Sequence, residues 1–359
     1  MKVKLVSVLM VLVLFLAACG GGGGNEPAPA DNGGDAPAET EGGEEAAAGS
    51  GDKRVIRVSN GINDQHPAYE ASLRFKELVE EQTDDFEVQV YHSGQIADDR
   101  SAIEMLQLGT LEIVVTSSSP LANFLPEYGV FDLPFTISDP AVADELLDGP
   151  FGEKMFGLLE SQGLVGLAWW ENGFRNLTNS VRPVASVEDL NGLKIRTMEN
   201  EIHLDAWREM GANPTPMAFT ELFTAMQQGT VDGQENPYPT IDLSQYAEVQ
   251  EHISDTNHVY TPFLFLFSKS IWDELSADQQ TIIHEAAIEA GLFNRERNRE
   301  VADESLERLK ESMTFTEITD EERARFQEVV QPVIEKHKDS IGAEIVDEYL
   351  NTISEITGG

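Results

Sequence analysis

Cysteine is nearly missing from this sequence: Cys19 is the only one in 359 residues, so no intrachain disulfide can form. Basic residues are scarce as well, with 24 Lys and Arg against 64 Asp and Glu and a formal net charge of −40. A nucleic-acid binder needs a basic footprint, and this composition excludes one. So large an acidic excess confers solubility and self-repulsion, and says nothing of fold. The seven histidines show no His-x-x-x-His or Cys–His spacing, so neither a metal site nor a cofactor is expected. There is no Gly-x-Ser-x-Gly and no glycine-rich phosphate loop, and the reading is of a protein that is not an enzyme.

What is present begins with Lys2 and Lys4, followed by an unbroken apolar run from Leu5 to Ala18. That run is too short to span a bilayer and reads as the core of a signal peptide over residues 1–18. Leu16-Ala17-Ala18-Cys19-Gly20 resembles a bacterial lipoprotein cleavage site, which implies a diacylated Cys19 as the mature N-terminus. Two acyl chains anchor stably where one does so marginally. The expected location is therefore extracytoplasmic, on the cell membrane. Residues 19–52 are Gly, Ala, Pro and acidic residues with almost nothing bulky, the composition of a flexible tether.

About 300 residues remain for the fold, more than one ordinary core holds, and two lobes are expected. Val55–Ser59, Phe86–Tyr91 and Leu111–Val115 read as strands separated by helices over Pro67–Glu81 and Asp98–Leu108. That order implies a parallel sheet covered by helices, so the class is α/β. Near Gly173–Asn179 the chain is expected to cross into a second lobe and to return by a strand over Glu251–Tyr260. Leu275–Met313 reads as one long helix able to bridge both lobes. Lobe I is thus placed at 53–172 plus about 261–300, and lobe II at 173–260 plus about 301–359.

The most informative stretch is Gly192–Pro239. Lys194-Ile195-Arg196-Thr197 alternates as a strand with a cation near its end. Pro214-Thr215-Pro216 forces extended backbone, and Val231–Pro237 reads as a polar turn. Strand ends in open α/β sheets are where ligands bind. Lys194-Ile195-Arg196, Gly211–Met217, Asp232–Pro237, Glu171–Arg175 and Phe131–Phe135 resemble, in the same order, the signature of the DctP family. These are the solute-binding proteins of tripartite ATP-independent periplasmic (TRAP) transporters. The resemblance runs from about Arg54 to the end. It implies a two-lobed periplasmic-binding-protein fold that carries a small organic acid, a C4-dicarboxylate or a sugar acid, to small and large membrane subunits. The carrier is expected to be a monomer.

Arg196 is the prime candidate for the ligand carboxylate, because a planar guanidinium grips both oxygens through parallel hydrogen bonds. The family resemblance gives it that role, adds Arg175 as a second cation and makes Asn236 the orienting amide. In so acidic a chain the attraction must act locally, within a Debye length of about 8 Å. Phe219 is expected to floor the pocket. Asn60, His66, Glu171 and Ser117 are expected from the first lobe, Ser117 with Ser118 and Ser119 at the end of a strand. Three other readings stay open on sequence: the binding protein of an ATP-driven importer, a secreted carboxylate-acting enzyme, and a surface adhesin.

Overall fold

The computed structural model describes residues 53–358; the signal-peptide, Cys19 and tether expectations lie outside the described residues. Its first sheet starts with β1 (Arg54–Asn60), where Ile56 and Val58 point inward and are fully buried. β2 (Phe86–Tyr91) and β3 (Ile113–Ser117) flank it in parallel, reached through helices Pro67–Gln82 and Asp99–Gln107. β4 (Leu164–Phe174) and β10 (Tyr260–Ser268) complete the order β2-β1-β3-β10-β4, with β10 antiparallel to both neighbours. β10 reads Tyr-Thr-Pro-Phe-Leu-Phe-Leu-Phe-Ser and is buried along its whole length. Phe265 packs on Phe75 of the first helix, ring centroids 4.7 Å apart.

The second sheet has the order β11-β9-β5-β8-β6-β7. Its strands are β5 (Asn176–Asn179), β6 (Lys194–Thr197), β7 (Asn213–Pro216), β8 (Gly233–Asn236), β9 (His252–Ser254) and β11 (Thr314–Thr316). β7, with two prolines, lies at the sheet edge, where a missing N–H leaves no ladder partner wanting. β8 corrects the sequence expectation of a turn: Gly233–Asn236 is an inner strand, and Gln234 and Glu235 are fully buried. Its polarity is tolerated because the side chains are satisfied in place, Gln234 Nε2 donating to Thr178 Oγ1 at 2.9 Å.

Three connections join the sheets. Arg175 sits alone between β4 and β5. The return strand expected over Glu251–Tyr260 is interrupted: β9 ends at Ser254, and irregular chain leads to β10. These two crossings are tied together by the Arg175 N–H donating to the Val259 carbonyl at 2.9 Å. The third is the helix Ala277–Ser312, 36 residues and so about 54 Å long. Gly291 does not stop it. A β-carbon there would lie 2.7 Å from Trp170 Cδ1, so glycine lets the helix press onto β4. Helix Asp320–Ile341 then packs on helix Glu201–Glu209, and Ala343–Thr357 on helices Pro140–Asp148 and Pro150–Leu158, so the C-terminal segment touches helices of both halves. Among the described residues no helix is long and apolar enough to cross a membrane.

Candidate functional site

Strand order assembles the site. β5 runs antiparallel to β8 and β6 runs parallel to it. The start of β5 and the ends of β8 and β6 therefore share one edge of the second sheet, carrying Arg175, Asn236 and Arg196. Opposite them stand the end of β3, with Ser117, and the turn after β1, with Gly61 and Ile62. Between the two walls lies a crevice, about 420 Å³ of unfilled space with its mouth included, also lined by Asp99, Asn172, Met198, Phe219 and Thr240.

The two arginines are both buried, 0% and 2% exposed, but they are held differently. Arg175 is locked from behind. Its Nε donates to Glu235 Oε2 at 2.5 Å, and its Nη2 donates to Glu235 Oε1 at 2.9 Å and to Asn236 Oδ1 at 3.0 Å. Burial alone would push the Glu235 carboxyl up. The Arg175 charge and the hydrogen bonds from His258 and Arg175 outweigh it and hold Glu235 well below the usual carboxylate range. The pair therefore stabilises the fold above the ordinary carboxylate pKa and stays ionised through mildly acidic pH.

Arg196 has no carboxylate partner. Its Nε and Nη2 both donate to the Met217 carbonyl, at 2.9 and 2.7 Å, and it forms no ion pair among the described residues. Burial pushes its guanidinium down and the Arg175 charge adds to the fall, against the Tyr246 hydroxyl and the Glu235 and Asp99 carboxylates. In both arginines Nη1 is buried and has no hydrogen-bond partner among the described residues. Two orphaned donors on two guanidiniums lining one crevice make a receptor for an anion.

The remaining expected residues divide. Phe219 and Ser117 line the crevice, the Ser117 hydroxyl 3.4 Å from Met198 Sδ on the facing wall. Ser118 and Ser119 do not line it; they open a short buried helix, and the Ser119 hydroxyl is bonded to Asp132. Asn60 is buried with neither amide atom paired, but its neighbour Gly61 supplies the lining. Asn236 lines the crevice with its amide partly committed, Nδ2 donating to Gln234 Oε1 at 2.5 Å, which leaves one N–H for a ligand.

Two expectations are corrected. His66 caps helix Pro67–Gln82, its Nδ1 accepting from the Ala68 N–H at 3.2 Å. That leaves the proton on Nε2, which meets Thr240 Oγ1 at 3.2 Å. Burial lowers its pKa to about 3, so it stays neutral, a helix cap joined to Thr240 of the crevice lining. Glu171 faces the long helix instead of the crevice, accepting from Arg299 Nη2 at 2.7 Å and from the Tyr260 hydroxyl at 3.2 Å.

Asp99 and Asn172 were missed. Asp98 and Asp99 read alike as helix-start acids, yet only Asp98 caps, accepting from the Ser101 N–H at 3.1 Å. Asp99 turns into the crevice; a second acid where one cap suffices was the available signal. Burial raises its pKa, with Asp98 and Glu199 adding to the rise and Thr116 and Arg196 opposing it, to about 6. A carboxyl raised in the folded state loses stability as pH climbs from its unfolded value through 6, and the loss is complete above that. Asp99→Asn is therefore expected to stabilise the ligand-free protein at pH 7.5 by on the order of 1–3 kcal/mol. Denaturant melts should show this gain shrinking as pH falls below 6; a gain that grows on acidification would contradict it.

The family model described as bacterial extracellular solute-binding protein, family 7 (DctP) matches residues 58–340. The chain belongs to that family. It is similar to the sugar acid binding protein DctPAm from Advenella mimigardefordensis, solved in complex with galactonate: 42% identity, TM-score 0.83, covering 84% of this chain and 98% of that one. It is similar also to a TRAP periplasmic solute-binding protein from a Polaromonas species, bound to D-erythronate: 38% identity, TM-score 0.80, coverage 83% and 98%. The C4-dicarboxylate-binding periplasmic protein DctP of Rhodobacter capsulatus is 33% identical over 299 residues, 81% of this chain and 89% of that one. The protein is thus a DctP-family TRAP solute-binding protein of two-lobed α/β fold with a long helix, and the family is extracytoplasmic.

Proposed function

We propose that this DctP-family protein captures a small organic acid, a C4-dicarboxylate or a sugar acid, between its lobes and hands it to the TRAP membrane subunits. The observation that carries the reading is the pair of buried, unpartnered Nη1 groups of Arg175 and Arg196 at one crevice. Arg196 supplies the uncompensated charge, Arg175 a second donor fixed by Glu235, and Asn236 a further N–H. Lobe I (53–172 plus about 261–300) contributes Ser117 and Phe263; lobe II (173–260 plus about 301–359) contributes the arginines. A ligand touching both walls favours the closed state, because only differential contacts shift such an equilibrium. Cys19 carries the lipid anchor, and the carrier works as a monomer without catalysis.

The test is a thermal-shift screen of the mature domain against organic and sugar acids and their uncharged alcohols. Acids that bind the native state raise the unfolding midpoint and the alcohols leave it in place. A midpoint raised equally by the uncharged compounds would sink the reading. The anchor is tested separately: alkyne fatty acid should label the full chain in cells, and Cys19→Ala should abolish the label.

A further inference from the structure

The charges around the crevice do not add up to a site for a dianion. Arg175 is already neutralised by Glu235, held through Nε and Nη2. Arg196 is the uncompensated cation, and on the same crevice Asp99 brings a carboxylate with no ion-pair partner among the described residues. The Asp99 carboxylate is seated against the backbone of Gly61, where even a β-carbon would come within 3.1 Å of Oδ1. Asn172, 3% exposed and also lining the crevice, presents a buried Oδ1 with no hydrogen-bond partner. Away from the guanidiniums, then, the lining asks for donors. A hydroxyl donates; an ionised carboxylate only accepts.

Resting on the carboxylate reading above, we propose that Asp99 is the specificity-determining residue of this site. With Asn172 it accepts hydrogen bonds from ligand hydroxyls, and its charge turns away a second carboxylate, so the ligand is a polyhydroxy monocarboxylate and not a C4-dicarboxylate. Discrimination of this kind is steep, because a ligand lacking the donor leaves buried acceptors unpaired. Burial raises the Asp99 carboxyl, and the Thr116 hydroxyl and the Arg196 charge offset that rise only in part, which fits a carboxyl that a further hydroxyl donor would stabilise.

The test is calorimetric titration at pH 7.5 of wild type, Asp99→Asn and Asp99→Ala with D-galactonate, D-glucuronate, succinate and L-malate. Wild type should bind at least one of the two sugar acids about tenfold or more tighter than either dicarboxylate. Asp99→Asn should move the two classes in opposite directions, sugar acid weaker and succinate tighter, and shrink the preference by about tenfold or more. A damaged fold weakens both classes together and cannot mimic that. Succinate bound by wild type as tightly as the sugar acids overturns the proposal, as does a preference that changes less than about threefold in both variants. If wild type binds none of the four acids, the carboxylate reading itself falls and this proposal with it.

Discussion

Arg196→Met should abolish most acid binding while leaving the ligand-free fold almost as stable as before. The arginine is buried and forms no salt bridge among the described residues, and its Nη1 has no hydrogen-bond partner among them. A ligand carboxylate arriving there completes a desolvated charge pair. Removing the cation leaves that carboxylate buried and unpaired, which costs on the order of 3–5 kcal/mol. The dissociation constant should rise by a few hundredfold or more. The fold answers differently. Substitution removes a charge that burial disfavours and also removes the two hydrogen bonds to the Met217 carbonyl. Those effects oppose each other, and the unfolding free energy should stay within about 2 kcal/mol of wild type. Calorimetry and denaturant melts on one preparation check both halves. Binding within a few-fold of wild type would contradict the role given to Arg196.

The second arginine predicts the reverse pattern. Glu235→Gln strips Arg175 of its counter-charge at a position where both residues are buried. Breaking one side of a buried pair costs on the order of 3–5 kcal/mol, which in a fold of this size lowers the midpoint by roughly 5–8 °C. A saturating acid ligand should restore part of the loss, since its carboxylate supplies negative charge beside the freed guanidinium. The ligand-induced rise in midpoint should therefore be larger in Glu235→Gln than in wild type. If the variant melts like wild type, Arg175 is not held as a buried charge and the division of labour between the arginines is wrong.

This division was not legible in the sequence, although most of the architecture was. Alternation marked β1 and β2, a continuous apolar run marked β3, and a long stretch without proline marked the helix that bridges the sheets. β8 escaped for the opposite reason. Gly-Gln-Glu-Asn carries no apolar residue, and what buries it is the long-range partner set of Thr178, Arg175 and His258. A pattern of hydrophobicity cannot report a strand whose core is polar. The arginines and Asn236 were named by their motif, but nothing local pointed to the partner of Arg175, which is Glu235, sixty residues away. Asp99 and Asp98 are adjacent and identical, and only the turn of the helix separates a cap from a wall of the crevice. His66 looked like a ligand-binding histidine and is a helix cap, since local spacing to the Ala68 N–H gives its ring an employment that needs no ligand.

The most direct measurement is a crystal structure of the mature domain grown with D-glucuronate or D-galactonate. The expected result is one carboxylate within hydrogen-bond distance of both Nη1 atoms, Arg175 still paired with Glu235, and ligand hydroxyls facing Asp99 and Asn172. A sugar acid bound elsewhere, or seated in the crevice with its carboxylate turned away from Arg196, would contradict the account.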